Sequence, residues 1–280
     1  MTGNDKIPTA GDAESIARKH WQLECQAEPL AGEVDRNFLL VTDSGDRWVL
    51  KISRQNTDRI GLDYQIETLR YLENSPVAHL VQRPLPTIDG QYLVPYERKG
   101  CEDCWVRVLS FLDGSPLVNT RERPPEFLQE IGRTLARLDL ALRAFDHPGA
   151  HRDHPWNLER TDDLSRWAEQ ISEPARREMI ERHMENFRHE VVPLLEGLEH
   201  GVIHNDANDH NLLVRMEADG QPVLAGLIDF GDSRYSITVA ELAITAAYLM
   251  LDQDYPLTTD PGYENVKFSI HYNYSCTIAL

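Results

Sequence analysis

Two hydrophobic periods run through the chain, and the places where one gives way to the other set its organisation. Short apolar runs bounded by turn residues read as strands: residues 32–41 and 47–52 flank the turn Asp43-Ser44-Gly45-Asp46, and further runs follow at 80–86, 91–95 and 105–112. A helix interrupts them at 58–73, where Leu62, Ile66, Leu69 and Leu72 form one stripe. A short helix at 12–24, with Asp12 as its cap and only Ile16, Ala17 and Leu23 apolar, precedes them as a surface element. From Pro124 to Glu199 the spacing turns helical. Phe127, Ile131, Leu135, Leu138 and Leu142 share one face, and Met179, His183 or Met184, Phe187, Val191 and Leu194 or Leu195 share another. Two apolar runs, Leu212 to Val214 and Val223 to Ile228, then flank the polar turn Glu217 to Pro222 as a hairpin, and an apolar helix spans 236–251.

This pattern predicts an α+β chain. Residues 1–112 form an N-terminal antiparallel sheet with a helix, residues 113–260 a mainly helical second part, and residues 261–280 an atypical tail rich in Tyr, Asn and β-branched residues. The boundary falls at Asp113-Gly114, where an apolar strand runs into a glycine turn. A hinge there leaves the backbone groups around Ser110 to Leu112 free to bond a purine base.

The candidate chemistry gathers at the two ends of the hairpin. His204-Asn205-Asp206-Ala207-Asn208-Asp209-His210-Asn211 enters it, and Asp229-Phe230-Gly231-Asp232 leaves it. A hairpin returns its ends to one rim, so Asp206, Asn211 and Asp229 are expected to converge. Three oxygen-bearing side chains suit a hard cation such as magnesium with a polyphosphate, because magnesium takes only one or two protein carboxylates. Phosphoryl-transfer sites of the kinase type place a proton-accepting Asp, then four residues, then a metal-binding Asn, and later a metal-binding Asp before Phe-Gly. Asp206, Asn211 and Asp229 stand in that order and spacing. Each residue alone is an ordinary turn former, but together, with a hairpin between them, they imply phosphotransfer. His204 reads as a structural brace for the loop.

Lys51, in Val49-Leu50-Lys51-Ile52, occupies the strand position of a lysine that pairs with nucleotide phosphates. The turn at Gly32 to Asn37, with a single glycine, is then the cover over those phosphates. On the 58–73 helix Gln65, Glu67 and Asp63 are all placed to orient Lys51, and the pattern does not choose among them.

Composition narrows the partners. With 41% hydrophobic and 26% charged residues the chain is an ordinary globular protein, and its net charge of −18 argues against nucleic acid and anionic membranes while suiting a cationic substrate. No run has the length of a membrane span and Met1 to Ala10 lacks the apolar core of a signal peptide, so the expected location is cytoplasmic. Cysteines 25, 101, 104 and 276 make no disulfide framework, and Cys101-Glu-Asp-Cys104 lacks the further ligands zinc requires, so it reads as a strand-connecting turn. His147, His151 and His154 lack the spacing of helical metal ligands, and residues 151–157 read as a capping loop.

Asp206 to Val214, Ile228-Asp229-Phe230-Gly231-Asp232 and Glu241-Leu-Ala-Ile-Thr245 resemble motifs of the aminoglycoside phosphotransferase and choline kinase superfamily. Val49 to Ser53, Val106-Arg-Val-Leu109 and Pro155-Trp156-Asn157-Leu158 resemble it as well, and the likeness covers nearly all of residues 12–252. It is strongest to the hydroxylysine kinase branch and to kinase domains fused to class III aminotransferases. The resemblance implies a two-lobed, protein-kinase-like fold that passes the γ-phosphoryl group of GTP or ATP to a hydroxyl of a small amino compound. The first expected acceptor is 5-hydroxylysine, with choline, ethanolamine, homoserine or an aminoglycoside as alternatives. By motif position Asp206 is the catalytic base, Asn211 and Asp229 hold magnesium, Lys51 holds the phosphates, Gln is compatible with position 65, and Asp232 supports the site. Family members continue with helices that line the acceptor site, whereas residues 261–280 resemble none of them. The expectation is a shortened C-terminal end with an intact catalytic centre and an incomplete acceptor pocket, or, in the contrasting reading, an inert nucleotide-binding module.

Overall fold

The computed structural model describes residues 7–32, 34–54, 56–97, 104–153, 156–159, 165–251, 268–271 and 275–278. Two compact units make up the chain: Met1–Glu122 with Leu212–Gly231, and Arg123–Asn211 with Asp232–Leu280.

The first unit begins with helix α1 (Ala10–Trp21), which starts two residues before the expected position. Thr9, not Asp12, is the cap: its hydroxyl accepts the Asp12 amide while the Asp12 carboxylate accepts the Thr9 amide, a reciprocal capping box. Strand β1 (Cys25–Leu30) follows, a strand the sequence pattern does not announce. Pro29 breaks the apolar alternation, and the edge of a sheet is where a strand proline is tolerated. β1 takes that edge, beside β2 (Arg36–Thr42), β3 (Arg47–Ile52), β5 (Trp105–Ser110) and the two-residue β4 (Val94–Pro95), all antiparallel. Phe38, Leu40, Leu50, Ile52, Val106 and Val108 supply its core against Ala13, Ala17 and Trp21 of α1.

Helix α2 (Arg59–Leu72) is capped by Asp58 and buries Leu62, Ile66, Leu69 and Leu72, the stripe read from the sequence. Residues 80–86 are not a strand. A 3-10 turn at Ala78–Leu80 leads into isolated bridges, Val81 to Leu227 and Pro84 to Leu109, because prolines 84 and 86 cannot donate to a ladder. The strand expected at 91–95 shrinks to β4. Residues 101–103 of the Cys101-Cys104 turn lie outside the described residues. Cys104 itself is buried and disulfide-bonded, so it does not simply belong to a polar turn.

After the short strand β6 (Ser115–Pro116) the chain enters the second unit through α3 (Pro125–Leu142). The expected face of α3 is buried: Phe127, Ile131, Leu135, Leu138 and Leu142 are each 2% exposed or less. The next stretch is less regular than its periodicity suggests. It breaks into α4 (Ser165–Ala168), α5 (Pro174–Asn186), a π turn at Phe187–Val191 and α6 (Val192–Leu195), and α5 buries none of its residues. Strand β7 (His200–Ile203) then delivers the chain to the loop at 204–211.

The hairpin of β8 (Leu212–Met216) and β9 (Pro222–Leu227) returns to the first unit, turning at Gly220 with φ of +83°. It joins that unit because β8 pairs with β6, Ser115 opposite Val214, and because Leu227 bridges Val81. The organisation is therefore discontinuous and differs from a single cut at Asp113. The chain closes the second unit with β10 (Arg234–Ile237), antiparallel to β7, and α7 (Val239–Met250). Residues 236–238 of the expected helix belong instead to β10 and the cap of α7. Of the tail at 261–280, β11 (Phe268–His271) and β12 (Ser275–Ile278) pair antiparallel, and the rest lies outside the described residues. Among the described residues no helix is long and apolar enough to cross a membrane.

Leu50 sits on the middle strand of the five-stranded sheet, 0% exposed. Leu50→Ala is expected to lower the unfolding free energy by about 2–5 kcal/mol in urea titrations, the cost of a cavity in a packed core.

Candidate active site

In the first unit the site grows from one pair of facing residues. Lys51 on β3 stands opposite Arg107 on β5 in the antiparallel register, so both side chains leave the same face of the sheet. Both are buried, Lys51 at 8% and Arg107 at 2% exposure. Two cations out of water require an anion, and Asp35, from the turn between β1 and β2, supplies it. Its Oδ2 accepts Arg107 Nη2 at 2.7 Å and lies 3.7 Å from Lys51 Nζ. Gln65 Oε1 accepts the same Arg107 nitrogen at 3.1 Å.

The three candidates on α2 are thereby separated. Asp63 pairs with Arg59 and Glu67 with Arg70 on exposed ground, while Gln65 reaches the buried cluster, where it meets Arg107. Lys51, Gln65, Gln82, Arg107, Asp229 and Phe230 line one small cavity. Asp229, at the exit of the hairpin, holds a left-handed backbone with φ of 65° and places Oδ2 3.8 Å from Lys51 Nζ. Its Oδ1 accepts the Gly231 amide at 3.2 Å. A non-glycine residue in that region is uncommon and marks a backbone held by its surroundings.

The hinge differs from the expected free backbone. Ser110 gives its amide to the Arg83 carbonyl at 2.8 Å and accepts Gln82 Nε2 on its own carbonyl at 2.9 Å. The Phe111 amide goes to the Arg47 carbonyl at 3.2 Å. The Ser110 amide is therefore taken, while its carbonyl, with one bond, keeps a second acceptor site. The Leu112 side chain packs on β9, where a Cβ built at Gly226 would come within 2.7 Å of it.

In the second unit the loop after β7 is held at nearly every residue. His204 is fully buried, and its Nδ1 accepts the Asp206 amide at 3.3 Å. Asn205 has φ of 66°, a conformation Asn tolerates better than most side chains. Its amide donates to Glu241 Oε2 of α7 at 3.0 Å. The Asp206 carboxylate accepts two side-chain amides, Asn208 Nδ2 on Oδ1 and Asn211 Nδ2 on Oδ2, each at 2.8 Å. Asn208 Oδ1 in turn accepts the amides of His210 and Asn211, at 2.8 and 3.0 Å. Thr245 of α7 bonds the Ala207 carbonyl at 3.0 Å. Asp232 also belongs to this unit, and its charge joins burial and those of Asp206 and Asp209 in pushing the Tyr248 phenol up.

Beneath the loop lie two buried carboxyl groups. Glu241 is fully buried; burial raises its pKa to about 7, opposed by the backbone amides of Asn205 and His204. Asp139 of α3 is half-buried with its Oδ1 inside, and it is pushed well above the usual carboxylate range by burial and by the charges of Glu241 and Glu199.

Asp35, Arg107, Gln82, Asn208 and Asp139 were not among the residues singled out by spacing. Arg107 had a signal: a charged residue inside the apolar strand 105–109 that buries both faces. Asp35 and Asp139 had none, since their partners lie tens of residues away in sequence.

Comparison with known proteins follows this geometry. The model of the phosphotransferase enzyme family matches residues 26–265, so the chain belongs to that family, a class of kinases that phosphorylate a hydroxyl acceptor. Hydroxylysine kinase of Mus musculus is 30% identical over 267 residues, covering 85% of this chain and 69% of that protein. Hydroxylysine kinase of Bos taurus is 29% identical over 264 residues, with the same coverage. Among solved structures, an amicoumacin kinase bound to AMP-PNP and Ca2+ superposes with a TM-score of 0.64 at 16% identity, over 92% of this chain and 73% of that one. A microcompartment-associated aminopropanol kinase gives 0.64 at 18% identity, over 85% and 74%. The fold is protein-kinase-like.

Raised carboxyl pKa values bind protons more tightly in the folded chain than in the unfolded one, so their contribution to stability is complete at low pH and fades as pH climbs. For Glu241 that window runs from its ordinary 4.5 to about 7. The urea midpoint of Glu241→Gln is therefore expected to gain on that of the wild type as pH rises through this window; a constant difference between the two would contradict the assignment.

Proposed function

We propose that this kinase transfers the γ-phosphoryl group of GTP or ATP, with magnesium, to the hydroxyl of a small amino alcohol, 5-hydroxylysine first. The observation that carries the reading is the Asp206 carboxylate, held by the amides of Asn208 and Asn211 and thereby fixed as a proton acceptor. The relatives' acceptor supports the choice of substrate class, and the net charge of −18 suits a cationic amine.

In this reading Asp206 accepts the proton of the acceptor hydroxyl as its oxygen attacks the γ-phosphorus, and the nucleoside diphosphate leaves. Lys51 holds phosphate oxygens. The donor set fits magnesium: Asp229 offers a half-exposed carboxylate, and Asn211, whose amide nitrogen is bound to Asp206, offers Oδ1. In the hairpin register Leu212, next to Asn211 in sequence, pairs with Leu227, two residues before Asp229. When bound, magnesium would neutralise charge on the phosphates. The protein's share is positioning and fixed charge.

The test is nucleotide consumption with GTP and ATP against hydroxylysine, choline, ethanolamine, homoserine and kanamycin, in wild type and Asp206→Asn. Hydroxylysine is expected to be the preferred acceptor, and Asp206→Asn to lose about a thousandfold in kcat while binding nucleotide as well as the wild type. Undiminished turnover by Asp206→Asn would overturn the role of Asp206, and nucleotide binding without turnover on any acceptor would favour an inert binding module.

A further inference from the structure

The buried cluster behind Lys51 has more charge than holding one lysine requires. A single carboxylate on α2 would be enough for that, yet α2 presents the neutral Gln65, and Gln65 meets Arg107, 3.1 Å away. Arg107 is the more buried of the two cations, with its side chain 3% exposed against 10% for Lys51. The anion they share comes from the turn between β1 and β2. Asp35 is hydrogen-bonded to Arg107 at 2.7 Å, whereas Lys51 stands 3.7 Å off, beyond hydrogen-bond range. Asp229 is similarly loose, at 3.8 Å.

We infer that Arg107 is a positioning residue of the nucleotide site: it holds the Asp35 carboxylate away from Lys51, so that the lysine ammonium stays available to phosphate. The inference rests on the reading of Lys51 as a phosphate contact. Its physical basis is competition. A carboxylate and a phosphate oxygen are both anionic acceptors for the same three ammonium donors. A buried Asp35 without Arg107 has Lys51 as its remaining cation among the described residues, and a buried anion takes the partner at hand. The guanidinium prevents this because its Nη2 donates to both Asp35 and Gln65, fixing the turn at one end and α2 at the other. The phosphate-covering turn, poor in glycine, is thus tied down through its acidic side chain. Asp35 and Lys51 alone would form a closed ion pair; Asp35 shared with both cations leaves Lys51 only loosely engaged, with Asp229 3.8 Å away across the cavity.

The test is calorimetric binding of non-hydrolysable GTP and ATP analogues with magnesium, on full-length protein whose fold is checked by circular dichroism. Arg107→Gln keeps a polar side chain but releases Asp35 to Lys51, and nucleotide affinity is expected to fall about tenfold or more. Adding Asp35→Asn removes the competitor, so the double variant is expected to recover to within about threefold of wild type. A residue that mattered only for folding would give two losses that add, with no recovery. In steady-state assays the loss in Arg107→Gln is expected in the KM for nucleotide, with kcat retained. Should Arg107→Gln not fold, Arg107→Lys gives the same reading, since the shorter side chain ends one bond short of the Nη2 that holds Asp35 and Gln65, and affinity is expected to drop at least about threefold. Unchanged affinity in the single variant, or a double variant no better than the single one, overturns the inference. Absence of nucleotide binding in the wild type overturns both this inference and the functional reading beneath it.

Discussion

Keeping charge inside the protein is the constraint on which the first unit depends. Lys51 and Arg107 face each other across β3 and β5, both nearly excluded from water, and Asp35 answers them. In a low-dielectric setting such an arrangement persists only where each member is held by the others. The sheet, the turn before β2 and helix α2 are fixed relative to one another by this cluster as well as by apolar packing. Because Lys51 sits 3.7 and 3.8 Å from its two carboxylates, it is restrained without being tightly paired. That state suits a group whose partner is brought by a ligand.

The second unit solves a related problem with a carboxylate instead of a cation. The loop at 204–211 holds the Asp206 carboxylate in one orientation, as the proposed proton-accepting role requires. Its backbone amides are secured from below by Glu241, and its carboxylate is secured from the side by Asn208 and Asn211. Left-handed backbones at Asn205 and Asp229 show that the segments on either side of the hairpin are held in conformations the chain would not choose alone. At Asn205 the strain is borne where α7 and β7 are already packed, as Thr245 and Ser233 show through their bonds to the Ala207 and Ile203 carbonyls.

Much of this was legible in the sequence because local rules carry it. The hairpin at 212–227, the α2 stripe and the buried face of α3 follow from periodicity and turn chemistry. The α+β class followed from the succession of strand and helix periods, phosphotransfer from the order Asp206, Asn211, Asp229, and the kinase family from the wider set of matching motifs. What was not legible depends on distant partners. Nothing near Asp35 says that Arg107, 72 positions on, will bond it. Ser110 looked wholly free because a strand end usually is, and only tertiary contacts with Arg83 and Gln82 take its amide and one lone pair of its carbonyl. β1 was hidden by Pro29, and residues 80–86 look like a strand until prolines 84 and 86 are weighed against the ladder they cannot join. Local propensity decides elements, whereas burial and pairing decide which charged residues matter.

The central claim is that Lys51 and the hairpin together bind a magnesium nucleotide. The most direct measurement is nucleotide affinity by calorimetry in wild type and Lys51→Met, each with and without magnesium. The account predicts that magnesium tightens wild-type binding by about tenfold or more and that Lys51→Met weakens it by a similar factor. Equal affinity in all four conditions would contradict it.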